Sequence, residues 1–433
     1  MAVKHEQENG LLLDDDGRTR RTGTLWSCIA HIITAVIGSG VLSLAWSVAQ
    51  LGWIAGPIAM LCFAIVTYAS VVLLSGCYRC PDPVTGTRNY SYMDAVRVNL
   101  GKTQTYLCGM FQYLYMYGIG IAYVITTSTC MSAIRRSNCY HEKGHSAPCE
   151  HKDIPNMLMF GAVQIVASQI PDFHSIKWLS VIAAIMSFAY SFTGFGLGFA
   201  EVIGNGMIKG SIAGVPASTR TKKLWLAFQD TLKSPPPENK TMKKASMIAM
   251  ILTTFFYLCC GCFGYAAFGN NTPGNLLTGF GFYEPYWLID FANACVVLHL
   301  LFSQPVFEFV ERWFSEKFPS NGFVIKFYNF KLPLLPCFHI NLFRICFRTA
   351  YVVSTTAIAA VFPYFNQVLG LLGALNFWPL AIYFPVEMYF VQNKIEAWTR
   401  KWILLRTFSL VCLLVSIVGL IGSIEGIIRA KFG

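Results

Sequence analysis

Apolar residues gather into ten stretches along the chain, at about 26–50, 53–76, 106–130, 157–171, 178–205, 245–268, 286–310, 345–363, 366–391 and 403–428, separated by polar links. An α-helix needs ~20 apolar residues to cross the hydrocarbon of a bilayer, so the pattern predicts a polytopic α-helical membrane protein. The first stretch, WSCIAHIITAVIGSGVLSLAWSVAQLGWIAG from Trp26 to Gly56, is interrupted at Gly38-Ser39-Gly40. Glycine in a helix interior costs up to ~1 kcal/mol against alanine, and hydrocarbon tolerates loosened backbone only where protein or a wet cavity receives the freed groups. The interruption therefore predicts a helix that unwinds at membrane depth, where half-helix ends can hold an ion or carboxylate. The other reading is that Gly38 and Gly40 let a neighbouring helix approach closely.

Composition agrees: 55% of the 433 residues are hydrophobic and 13% charged. The net charge of +11 does not mark a nucleic-acid binder, because Lys and Arg sit mainly in the short links, where they act as topology signals. Residues 1–25 lack an apolar signal-peptide region and are expected to be a cytosolic tail, with 26–433 forming the transmembrane domain. With the tail inside, 77–104 is an inner segment bearing Arg79, Arg88, Arg97 and Lys102, and 131–156 is an outer one. Parity then places 206–244 outside, yet this segment holds Lys209, Arg220, Lys222, Lys223, Lys233, Lys240, Lys243 and Lys244. The later links fit again if 233–244 lies inside, so one crossing is missing from the count.

The runs DDDGRTRRTGTLWSCIAHIITAVIGSGVLSLAWSVAQLGWIAGP, RSNCYH, IPDFHSIKWLSVIAA, QDTLKSPPPENKTMKKAS, CCGCFGYAAFG and FWPLAIYFPVEMYF resemble the plant amino acid permeases of the amino acid/auxin permease family, from about residue 14 to the C-terminus. The resemblance implies proton-coupled import of amino acids, broad across neutral and acidic ones, at the plasma membrane, driven by the proton gradient with no cofactor. It implies an inverted-repeat bundle of the amino acid–polyamine–cation superfamily, with broken first and sixth helices and eleven spans. Two departures stand out. The family's sixth helix, similar to ALGDIAFAYPYSLILLEI, has no counterpart between Gln229 and Asp230, and span eight is shorter by about five residues between Leu300 and Phe302. An alternative is therefore a transport-deficient truncated isoform. Amino acid, proton and lipid are the expected partners, nucleic acid is not, and a monomer is expected.

Within that resemblance, Ile37, Gly38, Ser39, Gly40 and Val41 match the family's unwound segment, whose N–H groups would face the substrate carboxylate, with Thr34 one turn earlier. In span three Tyr113 and Tyr117 share a helical face and are candidate ligand-lining phenols, though tyrosines in spans also pack or anchor. Ser187, Ser191 and Gly194 form a small polar stripe suited to packing against span one. Ionisable groups inside spans are functional candidates by default, and they are His31, Glu201, Asp290, His299 and Glu387. Of these the central His299 is the candidate proton relay, against the reading of a neutral, hydrogen-bonded core histidine. Cys139 and Cys149 share a predicted outer loop and are disulfide candidates. No metal site, Walker loop or GxSxG nucleophile motif occurs, so no catalytic residues are assigned.

Overall fold

The computed structural model describes residues 23–149, 152–169, 177–212, 238–280, 285–302, 306–330 and 338–432. The chain enters the bundle at α1, Leu25–Val36, whose first turn is closed by a reciprocal cap. Ser27 N–H donates to Thr24 Oγ1 at 3.3 Å and Thr24 N–H donates to Ser27 Oγ at 2.9 Å. A tight 3-10 turn at Ser39–Ser43 leads into α2, Leu44–Gly76, which doubles back on itself. The fold-back sits at Gly52, where φ is 79°, a left-handed value that suits glycine. Its two legs press together at Gly56, where an added Cβ would meet Val48 Cγ1 at 2.9 Å.

A short hairpin follows, β1 at Arg79–Cys80 antiparallel to β2 at Thr87–Arg88, then the amphipathic α3, Tyr92–Leu100. The bundle continues with α4, Lys102–Lys143, α5, Asp153–Ser168, α6, Lys177–Asn205, and α7, Glu238–Phe268. Next come α8, Tyr286–Phe302, α9, Val306–Lys317, and the single turn α10, Gly322–Ile325. A second hairpin pairs β3, Phe327–Phe330, with β4, Phe338–Asn341. The last spans are α11, Leu342–Val361, then α12, Phe365–Asn376, running through a π-helical stretch at 377–383 into α13, Phe384–Gln392, and α14, Arg400–Phe432. Among the described residues, six helical segments are each long and apolar enough to cross a membrane by length and composition. The shorter α5 and α8, with α1 and α11, are packed among them and complete the bundle.

The contacts order the elements from one end of the bundle to the other. Glu238 at the start of α7 binds Arg79 and Arg88, the Arg79 carbonyl accepts from Gln392 at the end of α13, and Cys28 of α1 touches Met242. This is the basic end. At the opposite end Trp53 N–H donates to the Ser211 carbonyl, Lys209 N–H donates to the Ala266 carbonyl, and Cys139 is joined to Cys149. Residues 206–212 thus lie at the far end while Glu238 lies at the basic end, so α6 and α7 run parallel. The chain makes ten helical crossings among the described residues, yet Leu25 starts at the basic end and Phe432, beside Phe362, finishes at the far end. Passing from one end to the other takes an odd number of traverses, and residues 212 and 238 likewise lie at opposite ends. The expected site of the absent sixth helix, Gln229–Asp230, lies outside the described residues.

The main core encloses the first helix: Ile32, Ile37, Val41, Leu42, Ile119, Tyr123, Tyr190, Phe256, Leu277 and Val296 are buried together. Close approach elsewhere depends on small residues, as membrane helices require. A Cβ on Gly118 would sit 2.0 Å from Leu372 Cδ2, and one on Gly120 would sit 2.1 Å from the Tyr351 hydroxyl.

A break in the first helix pinned by two tyrosines

Regular helix ends at Val36. Ile37 has φ −78° and ψ 66°, and Gly38 N–H donates to the Val36 carbonyl at 2.9 Å. These are the angles and the i to i+2 bond of an inverse γ-turn. Gly38 follows with φ −88° and ψ −178°, extended backbone open to any residue. The glycine is therefore not needed for its conformational freedom. Its property is space: a Cβ added to Gly38 would meet nothing among the described residues within 4 Å, although Ile37 and Val41 on either side are fully buried. The unwinding comes from Ile37, and Gly38 supplies an opening beside it. The backbone break at 37–41 falls where the sequence placed it.

Interrupting a helix in a buried region strands carbonyl groups that would each cost several kcal/mol unpaired. Two phenols take them. Tyr190 of α6 donates to the Ile37 carbonyl at 2.8 Å, and Tyr257 of α7 donates to the Val36 carbonyl. Neither residue stood out in the sequence. The signal for Tyr190 was its place in the Ser187, Ser191, Gly194 stripe, one turn beyond Ser187. Small residues there let α6 come close enough for the phenol to reach the break, and Gly194 approaches Leu42 at 3.4 Å from its would-be Cβ.

The Tyr190 hydroxyl also stands 3.3 Å from Ser187 Oγ, which stands 3.4 Å from His299 Nδ1 on α8, with the Tyr190 and His299 rings edge to face at 6.0 Å. His299 is 3% exposed. A connected polar track thus joins the central histidine to the break across three elements. Thr34 and Ser39 lie on the described backbone of α1 and of the turn after it.

Tyr113 and Tyr117 are placed elsewhere. Tyr117 packs edge to face on Tyr351 at 5.6 Å, and Tyr113 joins it in the cluster of Phe307, Val306 and Tyr351 at the α4, α9 and α11 contact. The face of α4 that meets the first helix carries Ile119 and Tyr123, with Tyr115 against the same core. The spacing of four was right for a shared face, but the face is the one turned away from the break. Of the remaining ionisable groups, Glu387 pairs with Arg406, and Glu201 accepts from Asn205 at 2.6 Å near the far end. Among the described residues no cluster of His, Cys, Asp and Glu could hold a metal ion.

Outside the spans, the hairpin carboxylate Asp82 is held below its usual range by the backbone N–H groups of Thr85 and Val84 and by the Thr85 hydroxyl. The disulfide Cys139–Cys149 closes the loop at the end of α4, whose tip stacks His141 on Tyr286 at 4.0 Å.

The family model for transmembrane amino acid transporter proteins matches residues 21–225 and 220–429. In Arabidopsis thaliana, "Probable amino acid permease 7" is 54% identical, covering 100% of both chains, and amino acid permease 3 is 51% identical, covering 99% of this chain and 96% of its own. The match reaches both ends, which gives no support to a truncated isoform. The first alignment runs over 467 positions against 433 residues here, so at least 34 positions of that relative have no counterpart, all internal to the match. Among solved structures the chain is similar to Mhp1 in an inward-facing conformation, with a TM-score of 0.56 at 12% identity over 95% of this chain and 90% of that one. It is also similar to MhsT in complex with L-phenylalanine, with a TM-score of 0.52 at 12% identity over 93% of this chain and 100% of that one. At such identity these likenesses speak for the fold, an all-α membrane transporter bundle.

Proposed function

Because the chain belongs to the transmembrane amino acid transporter family, whose relatives are permeases and not enzymes, we propose that it is a proton-coupled symporter importing neutral and acidic amino acids at the plasma membrane. The observation that carries the reading is the buried break at Ile37–Gly38, with space in front of Gly38 clear of the described residues and the Val36 and Ile37 carbonyls each held by a tyrosine. In this reading the substrate carboxylate lies in that space. A charged acceptor displaces the bent γ-turn bond of Gly38 N–H, because charge-assisted hydrogen bonds are about twice as strong as neutral ones. The Gly38 and Gly40 amides line its approach, in the segment of chain that also carries Thr34 and Ser39.

His299 is the proton carrier of the proposal. An imidazole titrates near neutrality, and the track through Ser187 and Tyr190 ends on the carbonyl of the substrate-holding segment. The basic end faces the cytosol, following the positive-inside bias, which puts the N-terminal tail inside and the disulfide outside. The protein works as a monomer, with the proton gradient and no cofactor as its source of drive. The test is uptake of labelled alanine and glutamate in a permease-deficient host, with surface abundance measured in parallel and inward current recorded at external pH 5.5 and 7.5. Saturable uptake with larger currents at the acidic pH is expected; uptake that needs sodium and ignores pH would reject the coupling.

A further inference from the structure

We propose that Tyr190 and Tyr257 are positioning residues for the transported amino acid and so set its affinity: Tyr190, gripping the Ile37 carbonyl, aims the Gly38 amide, and Tyr257 keeps the Val36 carbonyl paired when that amide leaves its γ-turn bond for the substrate. The proposal rests on the reading that an amino acid binds at this break. Its physical basis is the planarity of the peptide unit, in which the carbonyl of one residue and the N–H of the next lie in one rigid plane and point in opposite directions. The Ile37 carbonyl and the Gly38 N–H belong to one such plane. A phenol that holds the carbonyl on one side therefore dictates where the N–H points on the other.

Three observations favour a role in aiming over one in packing alone. The two tyrosines come from different helices, α6 and α7, and take the successive Val36 and Ile37 carbonyls where the first helix stops. The next residue, Gly38, would turn an added Cβ toward space clear of the described residues. Finally, a carbonyl that accepts a hydrogen bond polarises its peptide unit, so the N–H across the plane becomes a stronger donor. Tyr190 lies fully buried, with Phe256 and Leu277 in the same core, so water does not replace its hydroxyl.

The experiment uses the purified full chain in detergent, with melting followed against increasing L-alanine and, separately, L-glutamate, which yields a dissociation constant without requiring turnover. Tyr190→Phe and Tyr257→Phe are each expected to weaken binding about 5- to 50-fold, the range set by leaving a buried acceptor unpaired. Tyr351→Phe is the matched control. Its hydroxyl also donates to a buried backbone carbonyl, that of Met116 at 3.3 Å, but away from the break. It is expected to lower the melting of ligand-free protein and leave the dissociation constant within about twofold of wild type. If both tyrosine variants lower ligand-free melting and bind as tightly as wild type, the residues only pack and the proposal falls. It falls equally if Tyr351→Phe weakens binding as much as they do. Should Tyr190→Phe fail to fold, Tyr257→Phe decides. If wild-type protein is stabilised by neither amino acid, the substrate reading itself fails and takes the proposal with it, an outcome distinct from the others.

Discussion

Replacing Glu238 by alanine removes one carboxylate from between two buried guanidinium groups, and the structure sets the scale of the damage. Arg79 donates to it through Nε at 3.2 Å and Nη2 at 3.0 Å, and Arg88 through Nε at 3.0 Å and Nη2 at 2.6 Å. The side chains are 2% exposed for Glu238, 7% for Arg79 and 1% for Arg88. At such depth solvent screening is weak, and removing one member of a buried pair costs ~3–5 kcal/mol because it abandons a charge in a poor solvent. With an unfolding entropy of ~2 cal/mol/K per residue, a chain of this size has ~0.9 kcal/mol/K in total. The predicted loss is therefore ~3–6 °C in melting temperature. Fluorescence-detected size exclusion after stepwise heating of detergent extracts reads this directly. The triple change Glu238→Leu, Arg79→Met, Arg88→Met is expected to recover most of the loss, since apolar groups of similar volume replace buried ion networks at little cost. A single variant that melts within 1 °C of wild type, or a triple variant worse than the single, would refute the view that the hairpin at 79–88 is held to α7 by charge.

Other expectations follow from the same geometry. Gly118→Ala, whose Cβ would lie 2.0 Å from Leu372, is expected to cost ~1–3 kcal/mol and reduce surface delivery, whereas Gly38→Ala, with no described residue within 4 Å, is expected to fold normally and lose uptake; equal surface loss in both would reject the distinction. Burial pushes the Cys77 thiol up to about 12, with neighbouring Cys80 adding to the effect, and burial also raises Cys80. Since the thiolate is the reactive form, iodoacetamide labelling of Cys77 at pH 7.5 is expected to be negligible and to rise about tenfold per pH unit, which mass spectrometry of tryptic peptides checks. Tags at the two termini are expected on opposite faces of the membrane, so that antibody reaches only the C-terminal tag on intact cells; staining of both or neither would overturn the odd crossing number. Cys139→Ser is expected to cost about 2–3 kcal/mol through the loop of ten-residue separation, measured as a lowered melting temperature.

Ten helical crossings, the break near Gly38 and the fault in parity between 206 and 244 were all legible in the sequence. Each rests on a one-dimensional quantity: the length of an apolar run, an interruption in it, or the side on which Lys and Arg fall. Hydrocarbon enforces these locally, because every spanning segment must satisfy its own backbone and pay for its own charges. Partnership across helices is a different kind of fact. Tyr113 and Tyr117 were correctly assigned to one face, yet no rule of spacing told which neighbour that face would meet, and it met Phe307 and Tyr351. Tyr190 and Tyr257, separated from Ile37 by more than 150 residues, gained their role only when α6 and α7 packed on the first helix. The same packing showed that Ile37 makes the turn and that Gly38 is there for the room it leaves. Periodicity specifies a helix and its faces because those depend on neighbours three and four residues away. Which carbonyl a phenol reaches depends on how separate helices settle against one another, and that is decided only in three dimensions.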